Sequence, residues 1–321
     1  MIYLQNPILY LVVPCYNEEE ALPETSRQVT KKLKTLIEQK VISEDSRVLL
    51  VDDGSKDDTW ELITDLHQAN PLYQGLKLSR NRGHQQALLA GLMTAKEKAD
   101  IVISMDADLQ DDIHAIDGFI QEYKNGHDVV YGVRSKRDTD TAFKRTTAEF
   151  FYKFMRFLGV DIVNNHADYR LMSKEALNAL AAYEEVNLFL RGIVPLIGFP
   201  STSVYYERNA RLAGESKYPL KKMIAFALDG ITSFSIKPIR FVLSLGIIVF
   251  LFSLIMLVYA LVSKLTGNAS TGWTSIVGSI WMIGGIQLLS LGVIGEYIGK
   301  IYNETKRRPR YIIETYLDDK E

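Results

Sequence analysis

A single cysteine, Cys15, stands among 321 residues, so the chain can form no intrachain disulfide framework and no multi-cysteine zinc site. Set in an apolar run, the lone thiol is expected as a small core residue. Net charge is equally sparse: the formal value of −2 supplies no global basic field, so no nucleic-acid partner is expected and anions must be met by local clusters. The N-terminus, MIYLQNPILYLVVPCYN, has no basic stretch ahead of its apolar run, and residues 8–13 are too few for a signal peptide or a membrane span. That run reads as a buried strand opening a domain.

What the chain has is a regular alternation. The β-rich runs ILYLVV, RVLLV, GLKLS, IVISM and DVVYGV are separated by segments with apolar residues at helical spacing, among them RQVTKKLKTLIEQK, GHQQALLAGLMTAKEK and DIHAIDGFIQEYKNG. Such βα alternation implies an open, mostly parallel α/β sheet with helices on both faces, and in such sheets ligands bind beyond the C-terminal ends of the strands.

The fourth of these runs enters a cluster of carboxylates, IVISMDADLQDD. On an extended chain Asp106 and Asp108 point the same way and Met105 and Ala107 the other. Two like charges so placed repel unless a cation lies between them, and an oxygen-rich site suits Mg²⁺ or Mn²⁺. Gln110, next on the alternation, is a neutral oxygen donor for the same ion, while Asp111 and Asp112 are expected to cap the following helix.

The composition changes after Pro238. Two apolar stretches, about 241–262 and 274–296, the first free of charge and the second free of it up to Glu296, are each long enough to cross a bilayer core of about 30 Å. Lys221, Lys222, Lys237 and Arg240 precede the first, Lys300, Lys306, Arg307, Arg308 and Arg310 follow the second, and the connector holds one lysine. By the positive-inside rule the large domain and both termini are expected on the cytoplasmic side of a plasma membrane. Leu220, Ile224, Leu228 and Ile231 share a face beside Lys221 and Lys222, an amphipathic pattern suited to lying in the membrane interface. The expected division is a catalytic domain over 1–216, interfacial helices over 217–237, two transmembrane helices within 238–299 and a cytoplasmic tail over 300–321.

VVPCYNEEEAL after the first strand, VLLVDDGSKDDTW after the second and ISMDADLQ after the fourth resemble, in order and spacing, the family 2 glycosyltransferases of GT-A fold. That group includes dolichol-phosphate mannose synthases and bactoprenol glucosyltransferases. The resemblance covers about residues 7–220, and the two C-terminal apolar stretches match its bacterial polyprenyl-phosphate branch. It implies a Rossmann-like GT-A catalytic domain followed by two transmembrane helices. It places Pro14, Tyr16, Glu18, Val51 and Asp53 at the nucleoside, with Pro14 and Val51 as an apolar wall for the base. It also places Asp106, Ala107 and Arg134 at the nucleotide sugar, and Arg211 and Lys217 at the diphosphate. Asp108, Asp168 and Arg170 are the implied catalytic residues. Within NNHADYRLMSKEAL, Arg170 is suited to the acceptor phosphate and Asp168 to orienting the acceptor. A lipid phosphate with a second pKa near 6 is already largely a dianion and needs no strong base.

The function so implied is inverting transfer of a hexose, with glucose from UDP-glucose as the expected donor, to undecaprenyl phosphate at the cytoplasmic membrane face. The implied partners are a nucleotide sugar, a polyprenyl phosphate and the bilayer, and a homo-oligomer stays open. A processive polysaccharide synthase shares the nucleotide motifs, but those enzymes resemble one another in a QxxRW motif and this chain has no Arg–Trp pair. A membrane-tethered nucleotide-sugar sensor without turnover is the non-enzymatic alternative, against which the intact Asp106, Asp108, Arg211 and Lys217 stand.

Overall fold

The computed structural model describes residues 6–135, 166–186, 189–207, 237–266 and 272–318. They divide into two compact units: a sheet with its helices and the chain from Arg308 onward, and two long helices ending by Arg307. Arg211, Lys217 and the expected interfacial helices up to residue 236 lie outside the described residues.

In the first unit β1 (Leu9–Cys15), β2 (Arg47–Asp52), β3 (Tyr73–Leu78), β4 (Ile101–Ser104), β5 (Val129–Arg134), β6 (His166–Ser173), β7 (Ser201–Tyr206) and β8 (Ile313–Leu317) form one sheet. Its order is β7-β5-β6-β4-β1-β2-β3-β8. All strands run one way except β6, antiparallel to β4 and β5, and β8, antiparallel to β3. The mostly parallel α/β expectation therefore holds. β1 and β4 are buried along their whole length, as unbroken apolar runs require when helices cover both faces.

Among the described residues six helices accompany the sheet: α1 (Leu22–Glu38), α2 (Thr59–Ala69), α3 (His84–Ala95), α4 (Ala115–Lys124), α5 (Lys174–Ala181) and α6 (Leu190–Leu196). Leu22, Val29, Leu33 and Leu36 of α1 join Leu9, Leu11 and Val13 of β1 and Ile116, Phe119 and Ile120 of α4 in one apolar core. On the other face α3 lies close to β1 and β2. A Cβ on Gly91 would stand 2.4 Å from Val12 Cγ1 and 2.8 Å from Val51 Cγ2, so only glycine permits that approach. The chain winds from β1 through β2 to β3 on one side, then crosses back to β4 on the other side of β1. That reversal opens a crevice at the C-terminal ends of β1 and β4.

In the second unit α7 (Lys237–Leu265) and α8 (Trp273–Thr305) cover both apolar stretches. Among the described residues one stretch, Met282–Thr305, is long and apolar enough to cross a membrane, and none of it is buried. The chain beyond α8, expected as a tail, supplies β8 to the sheet.

Candidate active site

The loops after β1 and β2 are laced together into a rigid floor. Asn17, with φ 55, donates its backbone N–H to Ser55 Oγ at 3.0 Å and accepts from Lys56 N–H at 2.9 Å. Glu18 N–H donates to Thr59 Oγ1 at 2.9 Å, and Glu19 accepts from Asp58 N–H at 3.1 Å. Asp57 accepts from Thr59 N–H and, at 2.7 Å, from its hydroxyl, which braces the start of α2. Pro14 and Val51, both buried, face one another in the β1–β2 register, while Tyr16 is exposed and Glu18 half-buried.

Asp53 turns toward the next loop. Its carboxylate accepts from the backbone N–H groups of Arg82 at 2.7 Å and Gly83 at 2.8 Å. Asp52, fully buried, accepts from Ser55 N–H at 3.1 Å. Gly54 has φ 67, and a Cβ there would lie 2.7 Å from Asn81 N. Asp53 and Gly54 thereby fix the loop that opens α3 and set down His84, its first residue.

β4 stops at Ser104, and the carboxylates follow in a turn, whereas the sequence suggested extended chain. The alternation survives: Met105, Ala107 and Leu109 are buried, Asp106 and Asp108 half-buried. It ends at Leu109, whose φ of 53 places it in the left-handed region, and Gln110 after it is buried. The turn is held by Thr25 Oγ1 donating to Ala107 O at 2.6 Å and by Gln110 N–H donating to Asp108 Oδ1 at 3.1 Å.

The expected capping pair is corrected. Asp112 accepts from His114 N–H at 2.9 Å, but Asp111, 1% exposed, reaches back into the sheet. There it accepts from Arg134 Nη2 at 3.0 Å and from the Tyr206 hydroxyl. Arg134 is thus neutralised by a buried carboxylate, which raises its pKa against the opposing effect of burial. A cleft of about 570 Å³ lies beside this pair, lined by Gln28, Leu109, Asp111, Asp112, Ile113, His114 and Glu207.

Asp168 and Arg170 of β6 meet in the crevice next to Asp106. Asp168 accepts from Arg170 Nη2 at 2.6 Å and from Arg191 Nη2 at 3.0 Å, and His84 Nε2 stands 3.6 Å from it. The same His84 nitrogen is 3.7 Å from Asp106 Oδ1. Burial raises the pKa of the Asp168 carboxyl, but His84, Arg191 and Arg170 together hold it well below the ordinary range. For Arg170, only 2% exposed, burial outweighs Asp168 and lowers its pKa. Burial also lowers His84, and the carboxylates of Asp168 and Asp106 more than offset that, so its pKa is raised. Asp106 is pushed up to about 6 by burial, with Asp111, Asp168 and Asp108 adding to the push and His84 opposing it.

Among the described residues no three His, Cys, Asp or Glu side chains form a ready-made metal cage. Two carboxylates repelling one another at the mouth of the crevice nevertheless fit a hard divalent cation that keeps waters and takes its remaining oxygens from a bound diphosphate. His84 and Arg191 are the members of this cluster to which sequence reasoning gave no role. His84 stands near the head of the periodic run GHQQALLAGLMTAKEK, and Arg191, in FLRGIVPL, carried no signal at all.

The family described as glycosyl transferase family 2 matches residues 10–181, and the one described as GtrB C-terminal hairpin matches residues 237–301. The chain is 55% identical over 312 residues to the uncharacterized glycosyltransferase YkoT of Bacillus subtilis (strain 168), covering 97% of this chain and 93% of that one. It is 40% identical over 306 residues to the bactoprenol glucosyl transferase of Shigella phage SfV, covering 95% and 97%. It is 39% identical to the prophage bactoprenol glucosyl transferase homolog of Escherichia coli (strain K12), with the same coverage. Among solved structures it is similar to the mannosyltransferase PcManGT from Pyrobaculum calidifontis in complex with GDP-Man and Mn²⁺. That likeness has a TM-score of 0.47 and 16% identity, covering 95% of this chain and 88% of that one.

Proposed function

The chain belongs to glycosyl transferase family 2, and on that premise we propose that it is a membrane-bound inverting transferase. It moves a hexose, glucose from UDP-glucose, to undecaprenyl phosphate at the cytoplasmic face of the membrane. The observation that carries this reading is the joint one: about 40% identity to bactoprenol glucosyl transferases runs along 95% of the chain and includes the helical hairpin. In this reading α7 and α8 both span the bilayer, residues 217–236 lie in its interface, and basic residues such as Lys237, Arg240, Lys300 and Lys306 hold their flanks on the cytoplasmic side.

The chemistry asked of the protein is modest. An acceptor phosphate oxygen attacks the anomeric carbon of the sugar, forming a C–O bond as the bond from that carbon to the nucleoside diphosphate breaks. The acceptor dianion needs no proton removed, which agrees with Asp168: a carboxylate with depressed pKa, occupied by Arg170, Arg191 and His84, is a poor base. Its role is to orient cationic groups toward the acceptor. Pro14 and Val51 wall the base, with Tyr16, Glu18 and Asp53 around the nucleoside, while Ala107 and Arg134 border the sugar. Asp106, Asp108 and Gln110 are the residues that would hold Mg²⁺ or Mn²⁺, and such an ion when bound offsets charge on the diphosphate. Arg211 and Lys217 complete the neutralisation.

The test is incubation of membranes containing the protein with labelled nucleotide sugars and polyprenyl phosphate, followed by lipid extraction. Label from UDP-glucose is expected in a single lipid product, lost in Asp108→Ala. Label entering long polymer, or donor binding without any lipid product, overturns the reading.

A further inference from the structure

Residues 309–318 are fastened to both segments that carry His84 and Arg191. Because β8 is antiparallel to β3, with Ile313 opposite Leu78 and Leu317 opposite Gly75, its start lies at the C-terminal, site-bearing end of the sheet and its finish at the opposite end. At the site-bearing end Ser79 N–H donates to Ile312 O at 3.0 Å. The Arg82 guanidinium donates to Pro309 O at 3.4 Å, and Arg82 is the residue whose own N–H is held by Asp53 two positions before His84. Arg310 Nη1 donates to Tyr183 O at 2.8 Å. The Tyr183 hydroxyl in turn donates to Leu196 O at 3.3 Å, at the end of α6, the helix whose first turn bears Arg191. The start of α6 is tied to α3, since Leu190 N–H donates to Gln85 Oε1 at 2.9 Å. At the far end the contacts are of another kind: Asp318 accepts from Gln74 Nε2 at 3.0 Å and pairs with Lys98, remote from the crevice.

We propose that residues 309–318 are a positioning strap for the active site. In it Arg310 and Pro309 set α6 and the α3 entrance, and hence Arg191 and His84, relative to Asp168. Arg310 touches neither substrate nor Asp168; it is a positioning residue that acts through Tyr183. The two ends of the strap separate two effects, because the Asp318 end can only fasten the strand, whereas the Arg310 end also sets the geometry of the cationic groups. The activity part of this inference rests on the transferase reading; its structural part does not.

The experiment compares Arg310→Ala, Arg310→Lys and Asp318→Ala in the full-length protein. Arg310→Ala is expected to lower kcat about tenfold, as a displacement of catalytic groups by well under 1 Å can, with the donor KM within about twofold. Hydrogen exchange is expected to quicken at residues 79–84 and 189–196 and nowhere else in the sheet. Arg310→Lys, which keeps one donor for Tyr183 O, recovers part of kcat. Asp318→Ala lowers the melting temperature and leaves kcat of the folded protein unchanged. A wild-type kcat in Arg310→Ala overturns the proposal. So does a loss that merely tracks the folded fraction, with exchange quickened across the whole sheet as in Asp318→Ala. If the wild-type chain transfers no sugar, the transferase reading fails while the exchange pattern still decides the strap.

Discussion

Asp168 concentrates the electrostatics of the site in one side chain. Its carboxylate, 8% exposed, stands among Arg170, Arg191 and His84, and Arg170 Nη1 is already without a partner among the described residues. Asp168→Asn removes the anion and leaves a buried guanidinium uncompensated, which is expected to cost about 3–5 kcal/mol in unfolding free energy. The pH dependence has a definite sign. The folded-state pKa is depressed below the ordinary 3.8, so the stabilisation is complete above that value and is lost as pH falls from there toward the folded-state pKa. Denaturant titrations at stepped pH should therefore show the wild type losing stability below about pH 4 more steeply than Asp168→Asn. Parallel curves would mean that the carboxylate is not held by its cationic neighbours. The kcat profile of the wild type, for the same reason, should show no ionisation of Asp168 between pH 5 and 8.

At the scale of elements, the turn after β4 is tied to the far edge of the sheet through Asp111, which joins β5 by Arg134 and β7 by Tyr206. The two partners are not equivalent. Tyr206→Phe leaves Asp111 paired with Arg134 and should cost about 1–2 kcal/mol. Arg134→Met leaves a buried carboxylate whose Oδ2 already lacks a partner among the described residues and should cost about 3–5 kcal/mol. Thermal or urea unfolding of the two variants checks the order, and equal losses would show that the ion pair is not what secures the turn. The same elements show what could be read in the sequence. β1 through β5 were legible because parallel strands covered on both faces are plain apolar runs, and α1, α3 and α4 by their periodicity. β6 was not: HADYRLMS alternates charge with apolar residues, a pattern that suggests a solvated face, yet Asp168 and Arg170 are buried because each neutralises the other. Asp106 and Asp108 were singled out by their spacing, and Asp168 only by the family resemblance. The cationic partner of Asp168, Arg191, was not, because only the folded chain carries it from α6 to β6.

For the whole molecule, the order of elements along the chain matters as much as their identity. The chain leaves the sheet after β7, passes through α7 and α8, and returns at Arg308 to add its last strand beside β3. The family match to residues 10–181 contains no part of that strand, so a catalytic unit cut by the limits of the match is missing an edge. Without β8 the N–H and C=O groups of residues 75–78 that face it lose their partners while those facing β2 keep theirs, and the space over Gly75, filled by Leu317 against Ile63, is uncovered. An unpaired edge of that kind invites association between copies. A chain ending at residue 236 should therefore melt on the order of 5–10 °C lower than one in which residues 237–307 are replaced by a flexible linker, since each kcal/mol is worth about 2–4 °C in a domain of this size. The shortened chain should also aggregate on standing where the linked one does not. Circular dichroism melts and light scattering make the comparison. Equal melting and equal solubility would mean that β8 merely rests on the sheet, whereas the expected difference would make the returning strand part of the catalytic fold.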